Sequence, residues 1–505
     1  MPDYFVGVDS GTQGTRAVVV DGETGRVVGK SSKSYGMIEG LPPGNMEQHP
    51  STWVDALMET VSTSLKSSGI DPKRVKGIGV SGQQHGLVPL DSEGRVIRPA
   101  KLWNDTSTSE ECGMLIEALG GEESVIGLIG NSIPPGFTAS KILWLKMHEP
   151  LNYERLNIVL LPHDYLNFYL TGRASMEYGD ASGTALMDVR SRLWSEDVIG
   201  AIDPGLMEKL PALHPSDEAA GSMRGDVARK LGLGEDVLVS AGGGDNMMAA
   251  IGTGNTRPGI VTVSLGTSGT IYAYSKSPVV DPKGEIAAFC DSTNGWLPLV
   301  CTMNVTVSTE LIRALFDYSY QDLEDAVSRA PVGSGGLILL PYLHGERTPN
   351  VPDGTGVYFG LNERTFNAEN MARSAMEGVT LGLNYGFNRM RELGIEPSEI
   401  RLTGGGARNR AWRRIAPDVF DAEVVTLKVE EGAAYGAALQ AYWTYMKSIG
   451  EDIPISKITD RFVEVDESTR MDPDPHNVEI YRRLQRLQDR LGSDLRTAFR
   501  ERRSL

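Results

Sequence analysis

Short apolar, β-rich runs punctuate the start of the chain, at residues 4–8, 16–21, 26–30, 75–81 and 87–90. Turn-forming residues separate them at 21–25 and 91–94. Between the third and fourth runs, residues 50–67 put Trp53, Ala56, Leu57 and Val61 on one face at helical spacing. Strands, a helix and further strands predict an α/β lobe with a mixed sheet. The second half repeats the mixture, with helices expected near 306–316 and 367–391 and strands at 337–340 and 401–403. A last helix, about residues 477–501, carries Ile480, Leu484, Leu487, Leu491 and Leu495 on one stripe and arginines on the other face, which predicts a docking helix.

The two halves share more than element types. Val8-Asp-Ser-Gly-Thr-Gln-Gly-Thr15 resembles Val263-Ser-Leu-Gly-Thr-Ser-Gly-Thr270, with the valine, both glycines and both threonines aligned at an offset of 255 residues. Each copy comes after one β-rich run and precedes another, so each reads as strand, tight Gly-Thr turn, strand. In such a turn successive N–H groups converge and glycine lets a phosphate approach the backbone. Two lobes built on the same hairpin would set two such loops face to face.

Charge sharpens the need for those loops. The 505 residues contain 66 acidic and 49 basic side chains, a net −17, which disfavours nucleic acid and anionic membranes as partners. An anionic ligand such as ATP then requires local backbone N–H groups, a Lys or Arg, or Mg²⁺. Cys112, Cys290 and Cys301 show no CxxC spacing and fit a reducing compartment. The start MPDYFVGVDS lacks a signal-peptide pattern and no run reads as a membrane span, so a cytoplasmic protein is expected.

Several positions carry candidate chemistry. Asp9 ends the first strand and suits a Mg²⁺-holding carboxylate beside phosphates; its counterpart in the repeat is Ser264, so the turn itself does not require Asp. Asp245, in Ser240-Ala-Gly-Gly-Gly-Asp-Asn246, reads equally as an exposed general base or as the N-cap of a helix over 247–252. Gly404-Gly-Gly-Ala-Arg-Asn409 is a strand-to-helix turn able to meet a nucleotide, with a cap near Asn409. Gln83-Gln-His-Gly86 and Trp103-Asn-Asp105 combine planar hydrogen-bonding groups with an aromatic face, as a sugar site needs. Gly25-Arg-Val-Val-Gly-Lys-Ser31 has three residues between its glycines where a P-loop needs four, and reads as a hairpin turn. Glu431-Gly-Ala-Ala-Tyr-Gly-Ala-Ala438 reads as a helix start whose small residues pack tightly.

Taken in order, these motifs resemble the FGGY carbohydrate kinases over about residues 4–445. The set also includes Glu47-Gln-His-Pro50, Leu161-Pro-His-Asp-Tyr165, Tyr178-Gly-Asp-Ala-Ser-Gly-Thr184 and Leu340-Pro-Tyr-Leu-His-Gly-Glu-Arg-Thr-Pro349. Within the family the chain most resembles the branch that phosphorylates D-xylulose; ribulose, L-xylulose and gluconate are alternatives. The resemblance implies an α/β fold of two actin-like (ribonuclease H-like) lobes with mixed sheets flanked by helices, and ATP and sugar in the cleft between them. It implies a sugar- and phosphate-binding lobe over 1–250 and a nucleotide-binding lobe over 251–505.

Carried residue by residue, the resemblance makes Asp245 the base and Asp9 the Mg²⁺ ligand. Gln84, His85, Trp103, Asp105, Asp245 and Asn246 fall on the sugar. Gly11, Thr12, Gln13, Thr15, Gly266, Thr267, Gly404, Gly405, Gly406 and Asn409 fall on ATP. The expected partners are a sugar and ATP, and a homodimer is allowed for. Two positions depart from the xylulose branch: Gln84 replaces a usual Met, and Ser107 stands where an Arg is frequent. A protein-moving ATPase of the same fold is the competing reading, and the sugar-type residues at 84, 85, 103 and 105 argue against it.

Overall fold

A computed structural model describes residues 2–429 and 432–503. Two seven-stranded mixed sheets organise it. In the first, β1 (Tyr4–Ser10), β2 (Gly14–Asp21) and β3 (Val27–Ser34) are antiparallel neighbours, and β4 (Val75–Gly82) lies parallel to β1 on its other side. The predicted amphipathic helix α1 (Pro50–Ser68) buries Trp53, Leu57 and Val61 with Val6, Val8, Val19 and Val80 of these strands. β5 (Ala219–Ser222) and β6 (Leu238–Ser240) extend the sheet beyond β4, and the two-residue β7 (Gly243–Gly244) continues alongside the end of β4. Helix α2 (Pro162–Thr171) packs beside β4, and β7 runs directly into helix α3 (Asp245–Gly252).

The second sheet repeats the design. β8 (Ile260–Leu265) and β9 (Gly269–Ala273) form the second hairpin, with β10 (Ala287–Cys290) and β11 (Trp296–Thr302) beyond β9. β12 (Glu399–Thr403) lies parallel to β8, and β13 (Val424–Leu427) and β14 (Val465–Met471) come after it. The order β3-β2-β1-β4 in one sheet therefore matches β11-β9-β8-β12 in the other. The sequence repeat marks the same topological position twice. Helices α4 (Thr306–Leu315), α5 (Ala368–Glu392) and α6 (Arg410–Phe420) cover this sheet over one continuous apolar core.

The halves interlock through α7 (Gly432–Ser448), which returns to the first sheet. A Cβ on Gly7 would sit 1.8 Å from the Ala434 carbonyl oxygen, and one on Gly79 would sit 2.1 Å from that of Ala437. A Cβ on Gly436 would meet the Met248 carbonyl at 1.8 Å. Only glycine lets these backbones approach so closely, so the small residues at 432–438 pack as expected; Glu431 lies outside the described residues. Helix α3, which begins with Asp245, is thereby packed against a helix from the chain's far end that itself lies on the first sheet.

The docking helix requires a correction. Residues 477–501 fall on two helices, α8 (Pro475–Asp494) and α9 (Arg496–Arg503). The leucine stripe is only partly buried, whereas Tyr481, Gln485 and Gln488 are buried. Tyr481 donates to Glu377 at 2.7 Å, and the Gln485 and Gln488 amides donate to the carbonyls of Leu381 and Gly378. Leu484, Leu491 and Leu495 still pack against apolar clusters, and hydrogen bonds to α5 turn the adjoining Tyr481, Gln485 and Gln488 fully inward, because a buried amide without a partner is costly. No helix of the described residues is long and apolar enough to cross a membrane.

Candidate active site

The site forms where β1, β4 and β7 end together. The register sets Asp9 beside Ser81 and Ser81 beside Gly243; one residue on, Ser10, Gly82 and Gly244 align. Adjacent strands lie about 4.8 Å apart, so Asp9 and the loop carrying Asp245 hang from one edge with a single strand between them. This is the carboxyl edge of the parallel strands, where open α/β sheets bind ligands. The Ser81 hydroxyl donates to Asp9 Oδ1 at 2.8 Å.

Asp245 is the first residue of α3, and Gly244, not Asp245, is the N-cap. Its Oδ1 accepts the Asn246 backbone N–H at 2.8 Å and Asn246 Nδ2 at 3.0 Å. Asn246 Nδ2 also donates to Gln84 Oε1 at 3.0 Å. Burial pushes the Asp245 carboxyl up to about 7, with a further push from the negative charge of Asp9. Such a carboxylate is poised to take a proton near neutral pH.

Asp245 faces a cavity of about 830 Å³ shared by both halves. Gln84, His85, Trp103 and Asn246 line it on one side; Ser264, Gly266, Thr267 and Arg347 line it on the other. The second Gly-Thr loop thus faces the candidate base. Its own carbonyls are engaged, Gly266 with the Thr306 N–H and Thr267 with that of Val305, each at 3.0 Å. This ties the loop to the start of α4.

His85 has a left-handed backbone (φ 64°) and stacks on Phe137 with ring centroids 4.3 Å apart. Burial and the nearby Lys141 ammonium lower its proton affinity to about 3, so the ring is neutral. Its Nδ1 lies 2.6 Å from the Gly183 carbonyl and must carry the hydrogen, which leaves Nε2 as an acceptor. Lys141 donates to the carbonyls of His85 and Gly136, fixing the strained backbone from behind.

The first Gly-Thr loop differs from expectation in its side chains. Gly11 N–H closes the turn onto the Gly14 carbonyl at 2.9 Å, with Gln13 exposed at the tip. The Thr12 hydroxyl donates to Gln83 Oε1 at 2.9 Å and accepts Trp103 Nε1 at 3.0 Å. Gln48 holds Gln83 and the Thr12 carbonyl in turn. Thr15 is buried, its hydroxyl within 3.3 Å of Ser10 and 3.1 Å of Tyr35. Thr12 and Thr15 therefore shape the loop with their hydroxyls.

Asp105 also departs from expectation. It is fully buried, ion-paired with Lys101 at 3.2 Å, and accepts from Met46 N–H, Ser107 N–H and the Ser107 hydroxyl. It does not line the cavity. A carboxylate this fully paired organises its loop, and it shares the buried Lys101 with Glu47, whose carboxylate lies 3.3 Å from the ammonium. Ser107 belongs to the same cluster, so of the two departures from the xylulose branch only Gln84 faces the cavity.

A second interlobe cavity, about 1180 Å³, opens beside Gly404 and Gly405. Arg16, Lys30, Arg408, Arg413 and Lys428 line it, and Asp466 is the one carboxylate among the described lining residues. Here the −17 chain provides the local positive charge that an anionic nucleotide requires. Gly406 packs inward, where a Cβ would lie 2.8 Å from Leu265, and Asn409 caps α6 by accepting the Trp412 N–H. Neither lines the cavity. The rejected P-loop look-alike is a hairpin turn as expected, yet its Lys30 and Ser31 do line this cavity.

Sequence reasoning passed over these cations, and over Arg347 and Lys141. Arg347, Arg408 and Lys30 lie within the segments at 340–349, 404–409 and 25–31, and Arg16, Lys141, Arg413 and Lys428 are single basic residues that carry no local signal.

The FGGY family of carbohydrate kinases matches the chain through its N-terminal domain over residues 4–252 and its C-terminal domain over 261–445. A xylulose kinase of Haemophilus influenzae is 42% identical over 483 residues, covering 94% of this chain and 97% of that protein. A xylulose kinase of Bacillus subtilis is 34% identical over 489 residues, covering 95% of each. A crystal structure described as a xyloylose kinase from Brucella ovis superposes with a TM-score of 0.90 at 28% identity, over 98% of this chain and 100% of that one. The paired sheets, the cleft between them and these matches together make the chain a member of the FGGY family of carbohydrate kinases.

Proposed function

We propose that the protein transfers the γ-phosphoryl group of ATP to the terminal hydroxyl of D-xylulose, with Asp245 as general base. The observation that carries this reading is the shared cavity, in which Asp245 faces the second Gly-Thr loop. The 42% identity to a xylulose kinase supports the choice of sugar.

The sugar lies against Gln84, His85, Trp103 and Asn246. The neutral His85 accepts a hydroxyl hydrogen at Nε2, and the Trp103 ring offers an apolar face. Asp245 takes the proton of the attacking oxygen as the new O–P bond forms and the bond from phosphorus to the β,γ-bridging oxygen breaks. The backbones of both Gly-Thr loops hold phosphate oxygens. Gly404 and Gly405 flank the nucleotide, and the cations of the larger cavity balance its charge. Asp9 fits a Mg²⁺ site, because it is a hard oxygen donor close enough to raise the proton affinity of Asp245. A metal held there would neutralise phosphate charge. Residues 1–250 supply the sugar and phosphate side and 251–505 the nucleotide side, with α7 crossing between them. Three free cysteines suit the cytoplasm as the place of reaction.

ADP release measured with and without each of about a dozen ketoses and polyols tests the reading. D-xylulose should give the highest kcat/KM. A clear preference for another sugar overturns the substrate, and ATP turnover that no sugar stimulates overturns the reaction.

A further inference from the structure

Two of the ordered motifs, Leu161-Pro-His-Asp-Tyr165 and the 178–184 segment, contribute nothing to the cavity wall, yet they meet directly beneath it. His163, on the first turn of α2, is fully buried. Its Nδ1 lies 2.5 Å from Asp180 Oδ2, and its Nε2 lies 3.2 Å from the Ala241 carbonyl and 3.3 Å from Asp164 Oδ1. A carbonyl can only accept, so Nε2 carries a hydrogen; Nδ1 faces a carboxylate and carries one too.

The two ring nitrogens are thus both donors, and the ring is an imidazolium. His163, Asp164 and Asp180 sit close enough together to suggest a metal centre, but an imidazolium has no lone pair for a metal. Burial opposes the charge and also raises the proton affinity of Asp164, while the negative charge of Asp164 and Asp180 and the hydrogen bond to Asp180 hold the ring's proton affinity above its ordinary value. The charge also sits at a helix N-terminus, where the dipole disfavours it. Such a group persists only where its surroundings are built around it.

The surroundings lead to the site. Ala241, held by His163 and also by Asn167 Nδ2 at 2.8 Å, opens the Gly242-Gly243-Gly244-Asp245 run. A Cβ on Gly242 would lie 2.8 Å from His163 Cδ2, and one on Gly82 would lie 2.7 Å from His163 Cβ. Gly82 leads into Gln83, Gln84 and His85. One side chain therefore supports both the loop that ends in the base and the loop that carries the sugar contacts. Asp180 belongs to the same segment as Gly183, whose carbonyl fixes the His85 tautomer.

We infer that His163 is a positioning residue for the phosphotransfer: a permanently charged tie between Asp180 and the Ala241 carbonyl that sets where the Asp245 loop meets the sugar. This rests on the reading of Asp245 as base. What the tie requires is a buried cation that donates in two directions, so lysine should substitute for histidine and a neutral amide should not.

The test compares His163→Gln, His163→Lys and Asp180→Asn in the full-length protein, reading kcat, KM for D-xylulose, KM for ATP and the thermal midpoint. His163→Gln should lower kcat about 10- to 100-fold, the scale of a misplaced reacting group, with KM for ATP unchanged. His163→Lys should restore kcat to within about threefold of wild type, which a merely space-filling role would not do. If His163→Gln does not fold, Asp180→Asn carries the test with the same expected loss. Wild-type kcat in His163→Gln, or in Asp180→Asn, overturns the inference, as does His163→Lys impaired as deeply as His163→Gln. Near-normal kcat in Asp245→Asn would instead overturn the reading beneath it, so the two failures are distinguishable.

Discussion

β4 and β12 hold the same place in their two sheets, each parallel to the first strand of a Gly-Thr hairpin. The loops that leave them differ completely. After β4 come Gln83, Gln84 and His85, three side chains with directional hydrogen-bonding groups. After β12 come Gly404, Gly405 and Gly406, with no side chains. A sugar is recognised by the directions of its hydroxyls, which calls for fixed donors and acceptors. A nucleotide phosphate calls for close backbone and positive charge. A related contrast appears on the first strand of each hairpin: Asp9 on β1 corresponds to Ser264 on β8. One architecture thus carries directional side chains at one edge and bare backbone at the other.

The comparison is broken most severely if the base is not where the sugar side places it. Asp245→Asn should reduce kcat by about 10²–10⁴ with KM for D-xylulose within about threefold in steady-state assays. Wild-type kcat should also depend on pH with a definite sign. Asp245 must be unprotonated to act, and burial with Asp9 holds its carboxyl up to about 7. Activity should therefore rise with pH through about 7 and fall away below it. A flat profile from pH 5 to 8 would contradict the assignment.

The nucleotide side comes next. A Cβ on Gly405 meets no protein atom within 4 Å, and the residue lines the larger cavity. Gly405→Val should raise KM for ATP about tenfold, leaving KM for sugar and the thermal midpoint unchanged. A raised KM for sugar would mean the two edges are not separate. The mirror experiment is His85→Asn, since Asn tolerates the left-handed backbone. Loss of the Nε2 acceptor should raise KM for sugar about three- to tenfold with KM for ATP intact. The smallest effect is expected of Gln84→Met, which removes the Oε1 acceptor of Asn246. Sugar kinetics should shift within about threefold, and a larger change in preference among ketoses would make Gln84 a selector of substrate.

Much of this was legible along the chain. Alternating β-rich runs and the α1 face placed most strands and helices within a few residues, because each pattern arises from local periodicity. Asp9, Gln84, His85, Trp103, Asn246, Gly266, Thr267, Gly404 and Gly405 carried signals that the structure sets at or beside a cavity. Asp105 and Thr15 looked the same in sequence and proved to be buried. A polar residue after a strand reads alike whether it faces ligand or Lys101, since the partner comes from residues with no sequence relation to it. The leucine stripe of α8 docks as expected, with Leu484 on the main core and Leu491 and Leu495 beside Tyr342 and Phe499, but periodicity is local and gave no sign of Gln485 and Gln488, whose partners lie on a distant helix.

The sequence by itself determined the repeat, the two lobes and the order of motifs, because these depend on short-range pattern and on residue identity. Only the tertiary structure decided which polar groups face ligand, which carry charge, and how they are held. The five cations around the larger cavity come from separate strands, helices and loops of both halves. The raised proton affinity of Asp245 comes from burial and then from Asp9, which lies on another strand, and that of His163 from Asp164 and Asp180. Proton affinity and cavity lining are set by distances through space, and those distances exist only once the sheets have closed on each other.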